Sequence, residues 1–412
     1  MNKSLSSILI CIAILTGCST TPDRFPPPEN LISKAFIPGI PNARFWADEW
    51  PRFSVQRLNS LSDAELKKIS SATYNVPHNY LAISGGGANG AFGAGLLAGW
   101  AAKGTRPEFT MVTGVSTGAL TAPFAFLGAD YDAKLKAIYT TTWTKDVALE
   151  RNLIVALMMG DSLADTKPLK QLIHSYMTPA VIDAIAIEHK KGRRLFLGTV
   201  NLDAARSVIW NIGAIAVSDY PEKVSLIHEV MLASAAIPVA FPPVMISVEA
   251  DGQQYDEMHV DGSVGAQVFV YPAAINWKKL TKKLKVKGKP RIFVIRNAFI
   301  EPDYNGVNRS VLPIASRSID ALLRASGTGD LYQIYALCNR DDNEFNLAYI
   351  PADFTDKPTE GFDPVYMSKL YKRGYDMAYK GYPWENGPPG FVTSIEGTSS
   401  ENKSLSDMTM SQ

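Results

Sequence analysis

Two glycine-rich turns, each set between an apolar run and a run of small residues, constrain this chain most. The first is "SGGGANG", Ser84 to Gly90, within "NYLAISGGGANGAFGAGLLAGW". The second is "GVSTG", Gly114 to Gly118, within "FTMVTGVSTGALTAPFAFLG". A short buried run that ends in such a turn and restarts with helical spacing reads as strand, turn, helix. Two such units in succession call for a mostly parallel sheet with helices on its faces. Further strands are expected at "RRLFLGTVN", "SVIWNIG", "VMISVEA", "EMHVDG" and "RIFVIRN". Helices are expected at "LSDAELKKIS", with Ser62 or Asp63 near its start, and at "EKVSLIHEVMLASAA", "VLPIASRSIDALLRA" and "PVYMSKLYKRGYDMAYK".

Composition narrows the chemistry. The formal net charge is +1 over 412 residues, which leaves no electrostatic footprint for nucleic acid. The three cysteines, Cys11, Cys18 and Cys338, can build neither a disulfide framework nor a zinc cage, and Cys338 sits in an apolar helical setting that suits a buried thiol. The five histidines lack metal-ligand spacing, so a mechanism without metal or cofactor is expected.

The N-terminus reads as a targeting signal. Lys3 precedes the short apolar core "SILICIAIL", and "LTGC" follows, ending at Cys18. This resembles a bacterial lipoprotein cleavage site. It implies a signal peptide over residues 1–17, a lipidated Cys18 that anchors the protein to a membrane, and, with Ser19 next, the outer membrane of the cell envelope. "STTPDRFPPPEN" after Cys18 is an extended tether, and the polar residues 391–412 form an expected disordered tail.

"GVSTG" places Ser116 at a sharp strand-to-helix turn, where small neighbours let the hydroxyl project into a site at a helix N-terminus. That makes Ser116 the candidate nucleophile. "SGGGANG" fits two templates. Gly85-x-Gly87-x-x-Gly90 spells a dinucleotide-binding fingerprint, but that reading needs an acid at the end of the next strand, and Glu108 precedes it. No nucleotide is therefore expected. The other template is an oxyanion hole. Glycines let backbone N–H groups converge on one point, and such donors are worth roughly 3–4 kcal/mol each in hydrolases. Gly86 and Gly87 are the candidate donors.

A serine nucleophile needs a base. His78, His174, His189 and His228 lie in settings that suit packing or solvation, and no histidine follows His259. Asp261 ends a strand in "MHVDGSVGAQ". Such an aspartate can point into a cleft and act as base if the site raises its pKa. An Asp-Gly turn is equally the ordinary use of that dipeptide. His259, two residues earlier, shares the strand face with Asp261.

Taken together, "GGGANG", "GVSTG", "ASAAIPVAFPP" and "DGS", in that order, resemble the patatin-like phospholipases over roughly Asn79 to Ala298. The resemblance implies a three-layer α/β/α sandwich with a mostly parallel central sheet. It implies a Ser116–Asp261 dyad, and an oxyanion hole from Gly86 and Gly87, with Gly85. It implies hydrolysis of phospholipid or other acyl-lipid esters through an acyl-serine. The competing readings are an esterase, thioesterase or lysophospholipase that ignores bilayer lipid, and a non-catalytic envelope lipoprotein. Two positions depart from the family's pattern: Asn89, where Arg or Lys is usual, and Ser263, where Gly or Ala is usual. The implied division is a tether and N-terminal cap over 18–76, a catalytic domain over 77–300 and a C-terminal helical extension over 301–390. The Met-rich "LIVALMMGDSLAD" from Leu153 reads as a core helix or as one wall of an acyl-chain cleft.

Overall fold

The computed structural model describes residues 24–49, 56–58, 60–150, 162–302, 304 and 306–391. The expected signal peptide, Cys18, most of the Met-rich stretch and the tail beyond Phe391 lie outside the described residues. Nine strands form one sheet: β1 (Arg44–Trp46), β2 (Asn79–Ile83), β3 (Met111–Val115), β4 (Arg194–Asn201), β5 (Arg206–Asn211), β6 (Val244–Ala250), β7 (Gln253–Asp261), β8 (Arg291–Phe299) and β9 (Glu344–Ile350). The order is β1-β5-β4-β3-β2-β8-β9, with β7 paired to β4 and β6 paired to β7. Strands β4, β3, β2, β8 and β9 run parallel, while the pairings of β1, β5, β6 and β7 are antiparallel.

Every residue of β2 and β3 is buried, as a strand covered on both faces requires. Alternate residues feed two cores. Leu81, Ile83 and Val112 pack on the face that carries α2 (Gly90–Ala102) and α3 (Thr117–Leu127). Tyr80, Ala82 and Met111 pack on the opposite face with Leu331, Ile334 and Leu337 of the long helix Val311–Asp341. The expected helix near Ser62 spans Asp63–Ile69, capped by Ser62 and Glu65 in a reciprocal box.

Two segments contribute more than their sequence announced. Residues 344–380, expected as a helical extension, supply the parallel edge strand β9 and the helix α4 (Pro364–Lys380), which lies along α2. Within the expected N-terminal cap, β1 joins the sheet beside β5, and Arg44 forms a buried ion pair with Glu257 of β7. The α2–α4 contact depends on missing side chains. A Cβ on Gly95 or Gly99 would enter the backbone of Tyr371 or Tyr375, and one on Gly374 would enter that of Phe92.

That contact is testable. Gly95→Ala should destabilise by about 1–3 kcal/mol through overpacking and should expose residues 364–380 to protease first. Gly329→Ala, in a helix with open space around the new methyl, should leave the thermal midpoint unchanged or raise it. Equal midpoints for the two variants would remove the argument for close helix approach.

Candidate active site

Strand β3 ends at Val115 and α3 begins at Thr117, so Ser116 carries the whole change of direction. Its backbone sits at φ 55°, ψ −125°, a conformation that costs a non-glycine residue on the order of 1–3 kcal/mol. Three hydrogen bonds hold it there. The Ser116 N–H donates to Ser234 Oγ at 3.1 Å, and the Ser234 hydroxyl donates onward to the Gly198 carbonyl at 2.6 Å. The Ser116 carbonyl accepts the Ala119 N–H at 2.8 Å, opening the helix. The flanking glycines are a steric necessity. A Cβ on Gly114 would meet the Gly118 carbonyl, and one on Gly118 would meet that of Ile83.

Asp261 reaches the same place along β4. Gly198 of β4 pairs with Val115 of β3, and the next residue, Thr199, pairs with Asp261 of β7. One strand edge therefore delivers Ser116 and Asp261 side by side. The Asp261 N–H donates to the Ala236 carbonyl at 2.9 Å, and Oδ1 accepts the Ser263 N–H at 2.8 Å. Burial pushes the carboxyl up to about 6, against the pull of the Ser116 and Ser263 hydroxyls. Ser116 thus stands close enough to Asp261 to favour its charge, yet Oδ2 has no hydrogen bond of full geometry. Such contacts in free hydrolases tighten once substrate is in place.

The glycine loop closes the third side. The position a Cβ on Gly85 would take is 3.2 Å from Ser116 Cβ and 2.6 Å from Ser263 Oγ. The Gly85 N–H, expected among the oxyanion donors, is instead spent on the Gln267 carbonyl at 3.0 Å. Gly85 therefore contributes space and not a donor. Gly86, at φ 153°, and Gly87, at φ 54°, use backbone conformations open to glycine, and no carbonyl among the described residues accepts their N–H groups. Asn297, at the end of the central run of β8, fastens the loop. Its N–H donates to Ser84 Oγ at 2.8 Å, its Nδ2 donates to the Ser84 carbonyl at 3.0 Å, and its Oδ1 accepts the Gly93 N–H at 3.1 Å. Asn89 accepts the Tyr366 hydroxyl of α4 at 2.7 Å.

The histidines are occupied elsewhere. His259 is wholly buried, with Nδ1 at 2.9 Å from Thr199 Oγ1 and Nε2 at 3.1 Å from Glu257 Oε2. Burial lowers its pKa, against the pull of Glu257. The ring tunes Glu257 and not Asp261. His78 bonds Tyr80 and Thr73, His228 bonds the Met177 carbonyl and lies tilted against the His174 ring, and burial drives His189 down to about 3. Ser234 and Asn297 are the positioning residues that motif reading alone did not single out. Ser234 lay in the "ASAAIP" block and Asn297 closed "RIFVIRN", but what each holds is a distant backbone group.

Residues 81–274 match the family model for patatin-like phospholipase. No curated protein matches the chain. Among solved structures, VipD from Legionella pneumophila aligns at 14% identity and a TM-score of 0.34, over 74% of this chain and 66% of that one. Full-length ExoU from Pseudomonas aeruginosa, solved with SpcU, aligns at 11% identity and a TM-score of 0.29, over 74% of this chain and 52% of that one. The chain thus spans between half and two thirds of the length of either.

A buried acid with few partners leaves a thermodynamic mark. A carboxyl whose pKa is higher in the fold than in the unfolded chain weighs against folding once it ionises. For Asp261 the penalty builds from about 3.8 and is complete above about 6, reaching about 3 kcal/mol. Asp261→Asn should therefore raise the thermal midpoint near pH 8, with the advantage shrinking toward pH 4, where the native carboxyl is protonated. An Asn variant that is less stable near pH 8 would mean that partners stabilise the carboxylate.

Proposed function

Residues 81–274 of this chain match the family model for patatin-like phospholipase, and from that premise we propose that the protein hydrolyses carboxylic esters of phospholipids or other acyl lipids through an acyl-Ser116 intermediate. One observation carries the reading: a strained serine turn set beside a buried carboxyl whose second oxygen lacks a full partner and whose pKa is raised to about 6. In this mechanism Ser116 Oγ attacks the ester carbonyl carbon and its proton passes to Asp261. The oxyanion is held by the Gly86 and Gly87 N–H groups and by the positive end of α3. As the carbon–oxygen bond breaks, Asp261 returns the proton to the departing alkoxide. Water, deprotonated by Asp261, then attacks the acyl-serine and releases the fatty acid and free Ser116.

The surroundings of the site support an apolar substrate. Ile237 follows Ala236, whose carbonyl holds Asp261, and Val264 follows Ser263. Both are exposed, as is Val239 two residues beyond Ile237. Apolar side chains left in solvent around a reacting group suit an acyl chain. The N–H groups of Leu163 and Ala164, at the end of the Met-rich stretch, donate to the Val239 and Ala240 carbonyls, which brings that end of the stretch to the same mouth. Lipidation of Cys18 at the cell envelope, read from "LTGC", would keep the enzyme at a membrane holding such substrates.

Three outcomes follow. Ser116→Ala should lose hydrolysis by several orders of magnitude on a phospholipid and short-ester panel while keeping its melting profile. For the parent enzyme, kcat/KM should fall as pH drops through about 6, because the protonated carboxyl cannot accept the serine proton. Ser263→Ala removes a hydroxyl that favours the charged form, so its acid limb should move to higher pH. Substantial turnover by a folded Ser116→Ala protein would move the chemistry elsewhere. Separately, Cys18→Ser should shift the protein out of the membrane fraction, and a variant that stays there as an integral lipoprotein would end the anchoring proposal.

A further inference from the structure

A cavity of about 540 Å³ lies along the sheet, from the start of the parallel strands at Met111 to Ile209 and Phe269. Tyr80, Met111 and Phe196 of the parallel strands and Ile209 of the neighbouring strand line it, with Leu61 and Phe269. Met111 precedes Ser116 by five residues of strand, about 16 Å at ~3.3 Å per residue. None of Ser116, Asp261 or the oxyanion glycines lines it. The volume falls within the range of about 300–1,000 Å³ typical of small-molecule pockets.

Its charge is one-sided. Arg44, Arg57, Lys190 and Arg194 line the walls, and the described lining residues include no Asp or Glu. Arg44 is neutralised by Glu257 from outside the cavity. Among the described residues no carboxylate pairs with Arg194 in this way. Its guanidinium donates to the Arg193 carbonyl at 2.8 Å and the His189 carbonyl at 3.2 Å, both uncharged acceptors. Burial and the nearby Arg57 push its pKa down to about 10. A cation held in an apolar chamber without a carboxylate is costly, and an anion brought in with a ligand would offset that cost.

We propose that this cavity binds one free long-chain fatty acid, its carboxylate on the Arg194 guanidinium and its chain along Tyr80, Met111 and Phe196. The planar guanidinium fork matches a carboxylate in two parallel hydrogen bonds. The aromatic and aliphatic floor suits one acyl chain, and a chamber of this volume leaves no room for a two-chain lipid. The site is separate from the reaction proposed for Ser116 and does not rest on it.

The test is a binding titration on the full chain carrying Ser116→Ala, read without hydrolysis so that its result and the catalytic reading stand apart. cis-Parinaric acid is titrated by fluorescence, then displaced by oleate or by methyl oleate. Expected are one saturable site, displacement by oleate, and methyl oleate weaker by at least about tenfold, or 1.4 kcal/mol. Arg194→Gln should weaken oleate to a similar degree. Ala214→Trp, which puts an indole into the cavity from a half-buried lining position, should abolish binding. Absence of saturable binding, or methyl oleate competing as well as oleate, would overturn the proposal, both read on Ser116→Ala protein whose melting profile matches the parent's. Unchanged binding by folded Ala214→Trp would also overturn it, by locating the acid elsewhere.

Discussion

The geometry around Ser116 depends on two consecutive residues of one strand. Gly198 and Thr199 of β4 pair with Val115 and Asp261 in turn, so β3 and β7 meet end to end along a single edge. Where β3 stops, the chain must turn sharply into α3, and where β7 stops, its last side chain is left beside that turn. The Gly198 carbonyl also accepts from Ser234, which in turn accepts from the strained Ser116 N–H. A Cβ on Gly262 would strike the same Gly198 carbonyl. Shifting this register by one residue would turn Asp261 to the other face and separate the pair.

Electrostatics then favour a carboxylate over an imidazole in this position. A histidine base usually needs an acid to orient it, whereas Asp261 is held without a charged partner, its carboxyl by the Ser263 N–H and its main chain by the Ala236 carbonyl. Burial brings its proton affinity near working pH without any second charged group. The strain at Ser116 and the desolvation of Asp261 are both local costs. The surrounding sheet, buried on both faces, offsets them.

Local pattern made most of this architecture readable. The strand-turn-helix units around Ser84–Gly90 and Gly114–Gly118, the buried β2 and β3, and Asp261 at a strand end all follow from periodicity and turn chemistry, because neighbours in sequence determine them. What stayed hidden was decided by distant partners. "EFNLAYI" alternates weakly as sequence and becomes β9 only because β8 offers an open parallel edge. The glycines of α2 look like a small-residue core helix until α4 lies against them. Gly85 resembles its neighbours in the loop, and only the Gln267 carbonyl removes its N–H from the donor set. Strand alternation puts His259 on the face of Asp261, but Thr199 and Glu257 claim both ring nitrogens.

The central claim is that a carboxylate alone activates Ser116. The most direct test follows the rate at which a fluorophosphonate labels Ser116 between about pH 5 and 8, in the parent protein, in Asp261→Asn and in His259→Gln. The account predicts the same rise through about pH 6 for the parent and His259→Gln. It predicts labelling slower by at least about a hundredfold for Asp261→Asn. A folded His259→Gln protein that labels as slowly as Asp261→Asn, or an Asp261→Asn protein that labels at the parent rate, would contradict it.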